Sequence, residues 1–217
     1  MKEVMFEITA NDYLARDVYR MTLRGDTGGI KAGQFINIQL PGFFLRRPIS
    51  VCDAEEGSLA IIYKVVGKGT AELSDMLPGD YLAALTGLGN GYDTSVSGTF
   101  PLLLGGGVGV PPLYMLAREL TGQGKKVAVV LGFNTQEEIF YQEEFEELGC
   151  EVAVTTVAGS LGKRGFVTDA MPDFYSYFYA CGPLPMLKAV YRKTVTGGQL
   201  SLEERMGCGF GACMRSE

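Results

Sequence analysis

The sequence predicts an antiparallel, Greek-key β-barrel followed by an α/β domain with a parallel sheet, because its two halves carry different hydrophobic patterns. Up to about residue 99, short alternating apolar segments are separated by glycine and proline turns, which is typical of barrels. From Phe100 onward, continuous apolar strands alternate with helical segments, which indicates a parallel sheet. We therefore expect domains at 1–99 and 100–199 and a short cysteine-containing segment at 200–217.

Three strands and one helix are the clearest elements of the first half. Phe35–Leu40 alternates apolar and polar side chains and ends at Pro41-Gly42, as a half-buried strand does. Ser58–Val66 is rich in β-branched residues, and Tyr81–Leu85 follows a proline–glycine turn. We expect a helix over Ala71–Met76, between the second and third of these strands.

The second half is predicted to alternate four strands with three helices. Its strands have the unbroken apolar character of strands buried on both faces, and its helices have apolar residues three and four apart. The predicted strands are Phe100–Leu104, Lys126–Phe133, Glu151–Val157 and Tyr175–Ala180, and the predicted helices are Pro112–Leu120, Glu137–Leu148 and Leu184–Thr194.

Composition excludes several classes of protein. The net charge of −6 over 217 residues argues against nucleic-acid binding, which needs a basic face. No apolar run reaches the about 18 residues that cross a bilayer, and the N-terminus lacks a signal-peptide pattern. We therefore expect a cytoplasmic protein with no membrane partner. Its five cysteines are expected to be reduced, with Cys52 and Cys150 as small core residues.

The chain contains no histidine. This removes the commonest general base and the commonest metal ligand. We predict no residue that is catalytic by proton transfer, and the chemistry has to come from a bound cofactor, from carboxylates or from thiols.

Two segments of the first half suit an anionic cofactor. Arg46 and Arg47 precede Pro48-Ile49-Ser50; arginine binds phosphate through paired hydrogen bonds, and a serine hydroxyl can bond a polar ring edge. Val66–Thr70 places two glycines and a hydroxyl before a predicted helix, so its backbone amides form a candidate anion site. The alternative for either segment is a β-turn with solvated cations.

Two glycine-containing loops follow strands of the second half. They are Gly105–Pro112 and Cys181–Met186. Glycine allows the backbone to approach a ligand closely, and ligands of open parallel sheets bind at the carboxyl ends of strands. The first loop departs from the G-x-G-x-x-G fingerprint. The alternatives are a tight structural turn for this loop and a buried small thiol for Cys181.

The segment after the second strand of this half bears on coenzyme choice. Gly132–Glu138 contains two glutamates and no lysine or arginine. A ribose 2′-phosphate would need a cation there. We therefore predict a preference for NAD over NADP.

The C-terminal segment begins an iron–sulfur pattern. Cys208 and Cys213 are separated by four residues, as in the plant-type C-x4-C-x2-C spacing, but Ser216 stands at the third position. We expect a chain that continues past Glu217 or has lost its cluster. A zinc or thiol site at the two cysteines is a weaker alternative, because half of the ligands would be lacking.

These motifs occur in one order along nearly the whole chain. They resemble the ferredoxin reductase superfamily and, with Ser201–Cys208, the electron-transfer subunits of the NAD-dependent, two-subunit bacterial dihydroorotate dehydrogenases. The resemblance implies FAD in the barrel, NAD in the α/β domain and a 2Fe–2S cluster in the C-terminal segment. Electrons would pass from dihydroorotate to FMN in a catalytic partner subunit, then through the cluster and FAD to NAD⁺, in a heterotetramer of pyrimidine biosynthesis.

The resemblance also implies which residues contact the cofactors. The Arg-x-x-Ser segment would meet the flavin and its phosphates, the glycine–threonine turn would hold the pyrophosphate, and Cys181 would lie beside the nicotinamide. The implied cofactor-binding residues are Arg47, Pro48, Ile49, Ser50, Ile62, Tyr63, Lys64, Gly69, Thr70, Gly105, Gly106, Gly107, Gly109, Val110, Cys181, Gly182 and Pro183, and the implied cluster ligands are Cys208 and Cys213. Two alternatives stay open: a flavin–iron–sulfur oxidoreductase serving ferredoxin or sulfur compounds, and a cluster-less FAD-binding module.

Overall fold

A computed structural model describes residues 1–202 of the chain, which form two compact units. The first unit is Met1–Gly91, and the second begins at Tyr92 and includes the rest of the described residues. The first is a closed β-barrel, and the second is built on a six-stranded sheet. Most of the predicted cysteine-containing segment, including Cys208 and Cys213, lies outside the described residues.

Six antiparallel strands close the barrel, as the sequence predicted. Their bounds are β1 (Lys2–Ala15), β2 (Val18–Arg24), β3 (Phe35–Gln39), β4 (Arg47–Glu55), β5 (Ser58–Lys64) and β6 (Tyr81–Leu88). They follow each other around the barrel in the order β1-β2-β5-β4-β3-β6. One helix, α1 (Lys68–Asp75), connects β5 to β6.

The longest strand of the barrel, β1, was not among the strands predicted. Its first half alternates regularly, with Val4, Phe6 and Ile8 buried. The pairing of β1 with β2 then shifts between Ile8 and Ala10. Such a bulge adds one residue to a strand and reverses which side chains face inward. The strand therefore has no single two-residue period along its length.

The second unit contains a fully parallel sheet, which confirms the predicted α/β class. Its strands are β7 (Pro101–Gly106), β8 (Ala128–Phe133), β9 (Glu151–Thr156), β10 (Lys163–Arg164), β11 (Tyr177–Cys181) and β12 (Gly198–Ser201). Its helices are α2 (Pro112–Gly122), α3 (Gln142–Glu147) and α4 (Leu184–Lys193), with single turns of 3₁₀ helix at Gly107–Gly109, Gln136–Glu138 and Val167–Ala170. The strand order is β10-β9-β8-β7-β11-β12, and neighbouring strands are parallel.

The core of the second unit is assembled around the central strand β7. Leu102 and Leu104 are fully buried and pack in one cluster with Val130, Phe178 and Val190. Alternate residues of β7, β8 and β11 thus face the same side of the sheet, where α4 contributes an apolar face. Burial of this kind is the main source of stability in such a unit.

Only the second half of the predicted helix over Glu137–Leu148 is confirmed: a 3₁₀ turn ends at Glu138, and α3 spans Gln142–Glu147. Tyr141 lies between them with φ +66°, a left-handed conformation. Phe140 and Tyr141 are each 5% exposed. Consecutive residues of an α-helix point about 100° apart. The break allows both rings to pack inward, which offsets the backbone strain.

Cys52 and Cys150 are buried, as expected for small core residues. Burial raises the pKa of the Cys150 thiol to about 11, because a thiolate loses its hydration there. No helix in residues 1–202 combines the length and the apolar character needed to cross a membrane.

The aromatic cluster beneath α3 gives the first prediction. Phe145 is fully buried, and its ring lies 5.5 Å from the Tyr114 ring, edge to face. We expect Phe145→Ala to lower the free energy of unfolding of the second unit by about 3–5 kcal/mol, measured by urea denaturation. Exposed Glu147→Ala in the same helix should change it by less than about 0.5 kcal/mol. A loss below about 1 kcal/mol for Phe145→Ala would contradict this packing.

Candidate functional site

In the first unit, the two predicted anion-binding segments come together at the start of α1. Arg47 is the first residue of β4, and Gly69 is the second residue of α1. A Cβ atom on Gly69 would lie 2.8 Å from Cζ of Arg47, which is too close for carbon atoms. Glycine therefore lets the guanidinium group lie against the first turn of the helix.

The first turn of α1 is ordered by a threonine side chain. Thr70 Oγ1 accepts hydrogen bonds from the amides of Val66, at 2.9 Å, and Gly67, at 3.2 Å, and its hydroxyl donates to the Gly67 carbonyl. Two amides of the predicted anion site are therefore used within the chain. The next amides, of residues 68–70, have no acceptor inside the helix because they belong to its first turn. Together with Arg47 they form a positively polarised corner.

The two neighbouring arginines have different surroundings. The Arg46 guanidinium pairs with Glu3 at 2.6 Å, which ties it to β1. The Arg47 guanidinium lies 4.9 Å from the centre of the Phe43 ring and donates to the Leu45 carbonyl. Arg47 is thus the arginine that faces α1.

The other β4 candidates follow Arg47 along the strand. Pro48 is exposed, and Ile49 and Ser50 are half-buried. Ser50 pairs with Phe35 of β3. These three residues therefore form one short stretch of barrel wall next to the corner.

The β5 candidates are placed less favourably for a ligand. Ile62 and Tyr63 are 3% and 2% exposed, so both side chains are buried, on opposite faces of β5 because successive residues of a strand alternate. The Tyr63 hydroxyl donates to Oδ1 of Asn11 at 2.9 Å. Lys64, the last residue of β5, is half-buried.

Asn11 was missed by sequence reasoning. Its hydrogen-bond partners Tyr63, Leu73 and Met76 lie 52, 62 and 65 residues away along the chain. No local sequence pattern predicts contacts over such distances, so the structural role of Asn11 can be recognised only in the folded barrel.

In the second unit, the two glycine-containing loops meet at the carboxyl ends of adjacent strands. Gly105 of β7 is paired with Cys181 of β11. A Cβ atom on Gly109 would lie 2.6 Å from Cα of Gly182, and one on Gly106 would lie 3.2 Å from Cδ of Pro183. The two loops therefore approach each other through their backbones, which only glycine permits.

Strand order makes this the expected ligand position of the sheet. After β7 the chain continues to β8 and β9 on one side, whereas β11 and β12 lie on the other. Crevices at such a reversal bind ligands in open α/β sheets. Gly107 has φ +53° and no atom within 4 Å of its Cβ position, so its backbone borders open space. Val110, the next candidate, is fully buried and anchors the loop.

Cys181 is fully buried where β11 ends. The hydroxyl of Tyr92 is buried nearby, and its pKa is raised well above the usual value by burial first and by Cys181 second. The phenol is therefore protonated at ordinary pH. Sequence reasoning did not single out Tyr92, although it follows the glycine-rich segment 89–91.

Carboxylates occupy the carboxyl end of β8. Glu138 Oε2 accepts hydrogen bonds from the backbone amide of Asn134, at 3.0 Å, and from its side chain, at 2.9 Å. The Asn134 amide could bind an anionic ligand, but here it already binds the carboxylate of Glu138. Sequence reasoning missed a cation near this loop. This cation is Arg164, whose side chain packs on Gly159. Ser160, which follows Gly159, accepts a hydrogen bond from the Gln136 amide and so links this region to the loop after β8.

Within residues 1–202, no three histidine, cysteine, aspartate or glutamate side chains are grouped as metal ligands. The predicted ligands Cys208 and Cys213 lie outside this part of the chain.

Comparison with known proteins agrees with this geometry. Residues 103–192, which include both glycine-containing loops, match the oxidoreductase NAD-binding domain family. A solved NADH-dependent reduced ferredoxin–NADP oxidoreductase, from work on flavin-based electron bifurcation, superimposes with a TM-score of 0.86 at 32% identity. That superposition covers 96% of this chain and 79% of the other. A cytochrome P450 reductase from Amycolatopsis has the same fold, with a TM-score of 0.80 at 21% identity, over 92% of this chain and 69% of the other.

Curated relatives of higher sequence identity share one description. The dihydroorotate dehydrogenase B (NAD⁺) electron transfer subunit of Fusobacterium nucleatum is 39% identical, over 95% of this chain and 85% of the relative. That of Bacillus pumilus is 43% identical, over 98% of this chain and 87% of the relative. These relatives favour the dihydroorotate interpretation over the ferredoxin alternative. The chain belongs to the family of dihydroorotate dehydrogenase B (NAD⁺) electron transfer subunits.

Proposed function

We propose that this chain carries electrons from dihydroorotate oxidation, performed by an FMN-containing partner subunit, through a 2Fe–2S cluster and FAD to NAD⁺. The observation that carries the proposal is that each unit brings together two motifs that are distant in sequence. Arg47 meets the start of α1 in the barrel, and the loops after β7 and β11 meet in the sheet. The family relationship supplies the reaction.

FAD would bind to the barrel. Arg47 and the amides of the first turn of α1 would hold the pyrophosphate, because a guanidinium group and unbonded amides both favour anions. Pro48, Ile49 and Ser50 would line the flavin beside this corner. Bound FAD supplies the hydride and single-electron chemistry, which is consistent with a chain that contains no histidine.

NAD would bind where the loops after β7 and β11 meet. The backbones of Gly106, Gly107 and Gly109 would approach the coenzyme, and Cys181 with Gly182 would lie beside the nicotinamide. Cys181 is fully buried. In this proposal its role is to shape the wall of the site, because a buried thiol is a small, weakly polar group.

The cluster and the assembly complete the proposal. Cys208 and Cys213 would hold part of a 2Fe–2S cluster, as their spacing suggests. The division into an FAD-binding barrel at 1–99, an NAD-binding domain at 100–199 and a cluster segment at 200–217 belongs to the same proposal, as does assembly with the partner subunit into a heterotetramer. We also place the protein in the cytoplasm, where thiols stay reduced.

An anaerobic titration tests this function. We expect the FAD-loaded chain to lose its flavin absorbance when NADH is added, and to recover it when an electron acceptor follows. Iron and acid-labile sulfide, measured in the same sample, should each amount to about two per flavin. Reduction by NADH without iron would leave an FAD-dependent NADH oxidoreductase and remove the cluster from the proposal. Failure to bind FAD would remove the barrel site.

Arg47 is predicted to be required for FAD affinity. Because charge-assisted hydrogen bonds are worth about 1.5–3 kcal/mol, Arg47→Ala should raise the Kd of FAD by roughly 10- to 150-fold. The Kd of FAD for Arg47→Lys should lie between those of the unaltered chain and of Arg47→Ala, since lysine keeps the charge and loses the paired hydrogen bonds of the guanidinium group. Flavin fluorescence titration measures these constants. Arg24→Ala, at an exposed arginine paired with Glu7, serves as the control and should leave the Kd unchanged.

Glu138 is predicted to discriminate between the two coenzymes. The chain should be reduced faster by NADH than by NADPH, because a 2′-phosphate near β8 would meet the Glu138 carboxylate. Glu138→Gln removes that charge and should lower the NADH-to-NADPH ratio of kcat/KM by about tenfold, the effect of one charged contact. Glu143→Gln, at an exposed position of α3, is the control. Equal rates with both coenzymes in the unaltered chain would refute the preference.

A further inference from the structure

The helix α1 depends on the barrel for its orientation. It has eight residues, of which Gly69, Thr70 and Leu73 are buried. Isolated helices shorter than about 12–15 residues are marginal in water. Contacts at its two ends therefore decide where its first turn points. Arg47 lies against the N-terminal end, and a single asparagine holds the C-terminal end.

Asn11 uses its whole amide group in this contact. Its Nδ2 donates to the carbonyl of Leu73 and to the carbonyl of Met76, both at 2.9 Å, and its Oδ1 accepts from the Tyr63 hydroxyl at 2.9 Å. Leu73 lies in the last turn of α1, and its carbonyl also accepts the Met76 amide at 3.3 Å; Met76 follows the last residue of the helix. Asn11 therefore binds both sides of the turn that ends α1. A flipped amide would place its oxygen against both carbonyl oxygens, so the network fixes its orientation.

Tyr63 holds the asparagine in place. Its ring is 2% exposed and lies parallel to the Tyr19 ring, with the centres 6.0 Å apart. Burial raises the pKa of the Tyr63 hydroxyl above its usual value, so it remains a donor throughout the ordinary pH range. Oδ1 of Asn11 therefore accepts its hydrogen bond from a buried hydroxyl whose ring is held by packing.

The bulge in β1 places Asn11 on the correct face. Asn11 is paired with Met21, which is fully buried in the barrel. Without the register shift between Ile8 and Ala10, the alternation that buries Ile8 would direct Asp12 to this face. A carboxylate has no proton to donate to the helix carbonyls. The contact with α1 therefore requires both the register shift and an asparagine at position 11.

We propose that Asn11 is a positioning residue for the pyrophosphate of FAD: by fixing the last turn of α1, it aims the first-turn amides at the anion held by Arg47. This rests on the proposed function, in which α1 and Arg47 bind FAD. In this role Asn11 acts through α1 and not by contact with the cofactor. Tyr63 acts through Asn11, which gives a role to a candidate residue whose hydroxyl is already engaged.

Comparison of two flavins tests this role, because riboflavin carries the isoalloxazine ring and no phosphate. In the full chain freed of flavin, Asn11→Ala should raise the Kd of FAD by about tenfold or more, as expected for the loss of two hydrogen bonds that aim the helix. The Kd of riboflavin should stay within about twofold. Asp12→Ala, at the exposed neighbouring position of β1, is the control and should alter neither constant. Fluorescence titration measures all of them.

The outcomes separate this inference from the proposed function. If the unaltered chain binds FAD and Asn11→Ala binds it equally well, the positioning role is overturned while the FAD site stands. Equal losses for FAD and riboflavin would overturn it too, since they would indicate general damage to the barrel. If the unaltered chain binds no FAD, both fail. Should Asn11→Ala not fold, Tyr63→Phe keeps the stacked ring and removes the donor; it should weaken FAD binding alone, and an unchanged FAD Kd would overturn the role.

Discussion

The parallel pairing of β7 with β11 is the contact on which the second unit depends. Because both strands run in the same direction, Gly105 and Cys181 lie side by side, and the loops that leave them have to share one small space. Glycines at positions 106, 109 and 182 remove the side chains that would keep the loops apart. The sheet can then extend to β8 on one side and to β12 on the other, and the crevice between the two directions stays open.

The first unit achieves a comparable arrangement by other means. Its corner is assembled from side chains: Thr70 orders the first turn of α1, Arg47 covers Gly69, and Asn11 holds the last turn. In an antiparallel barrel no two neighbouring strands end in the same direction, so a short helix presents its amides instead. The two units therefore suit anionic ligands in different ways. In the second unit glycines let the backbone approach the ligand, and in the first unit side chains position hydrogen-bond donors.

Sequence reasoning succeeded where the determinants are local. The class of both units, four of the six strands of the parallel sheet and the glycine loops follow from patterns within a few residues. The short strands β10 and β12 were not predicted. It failed where distant residues decide: the helix break at Tyr141 reflects packing against Tyr114, and Asn11 and Arg164 gain their neighbours only on folding. The long strand β1 was missed because its bulge interrupts the alternation. Cys208 and Cys213 lie outside the described residues, so their role stays a prediction.

The bulge in β1 also has an evolutionary consequence. The additional residue is Thr9, whose hydroxyl donates to the Thr22 carbonyl at 3.1 Å and so compensates in part for the interrupted pairing. Deleting Thr9 would restore regular pairing between Ile8 and Tyr13, which by itself favours the sheet. Ile8 would stay opposite Leu23 and Asn11 opposite Met21, so the asparagine would keep its face. A one-residue slip of the strand that takes Thr9 into the pairing would instead bring Asp12 to that face. The codon for Thr9 is therefore dispensable for the orientation of Asn11, whereas the register of the residues that follow it is not.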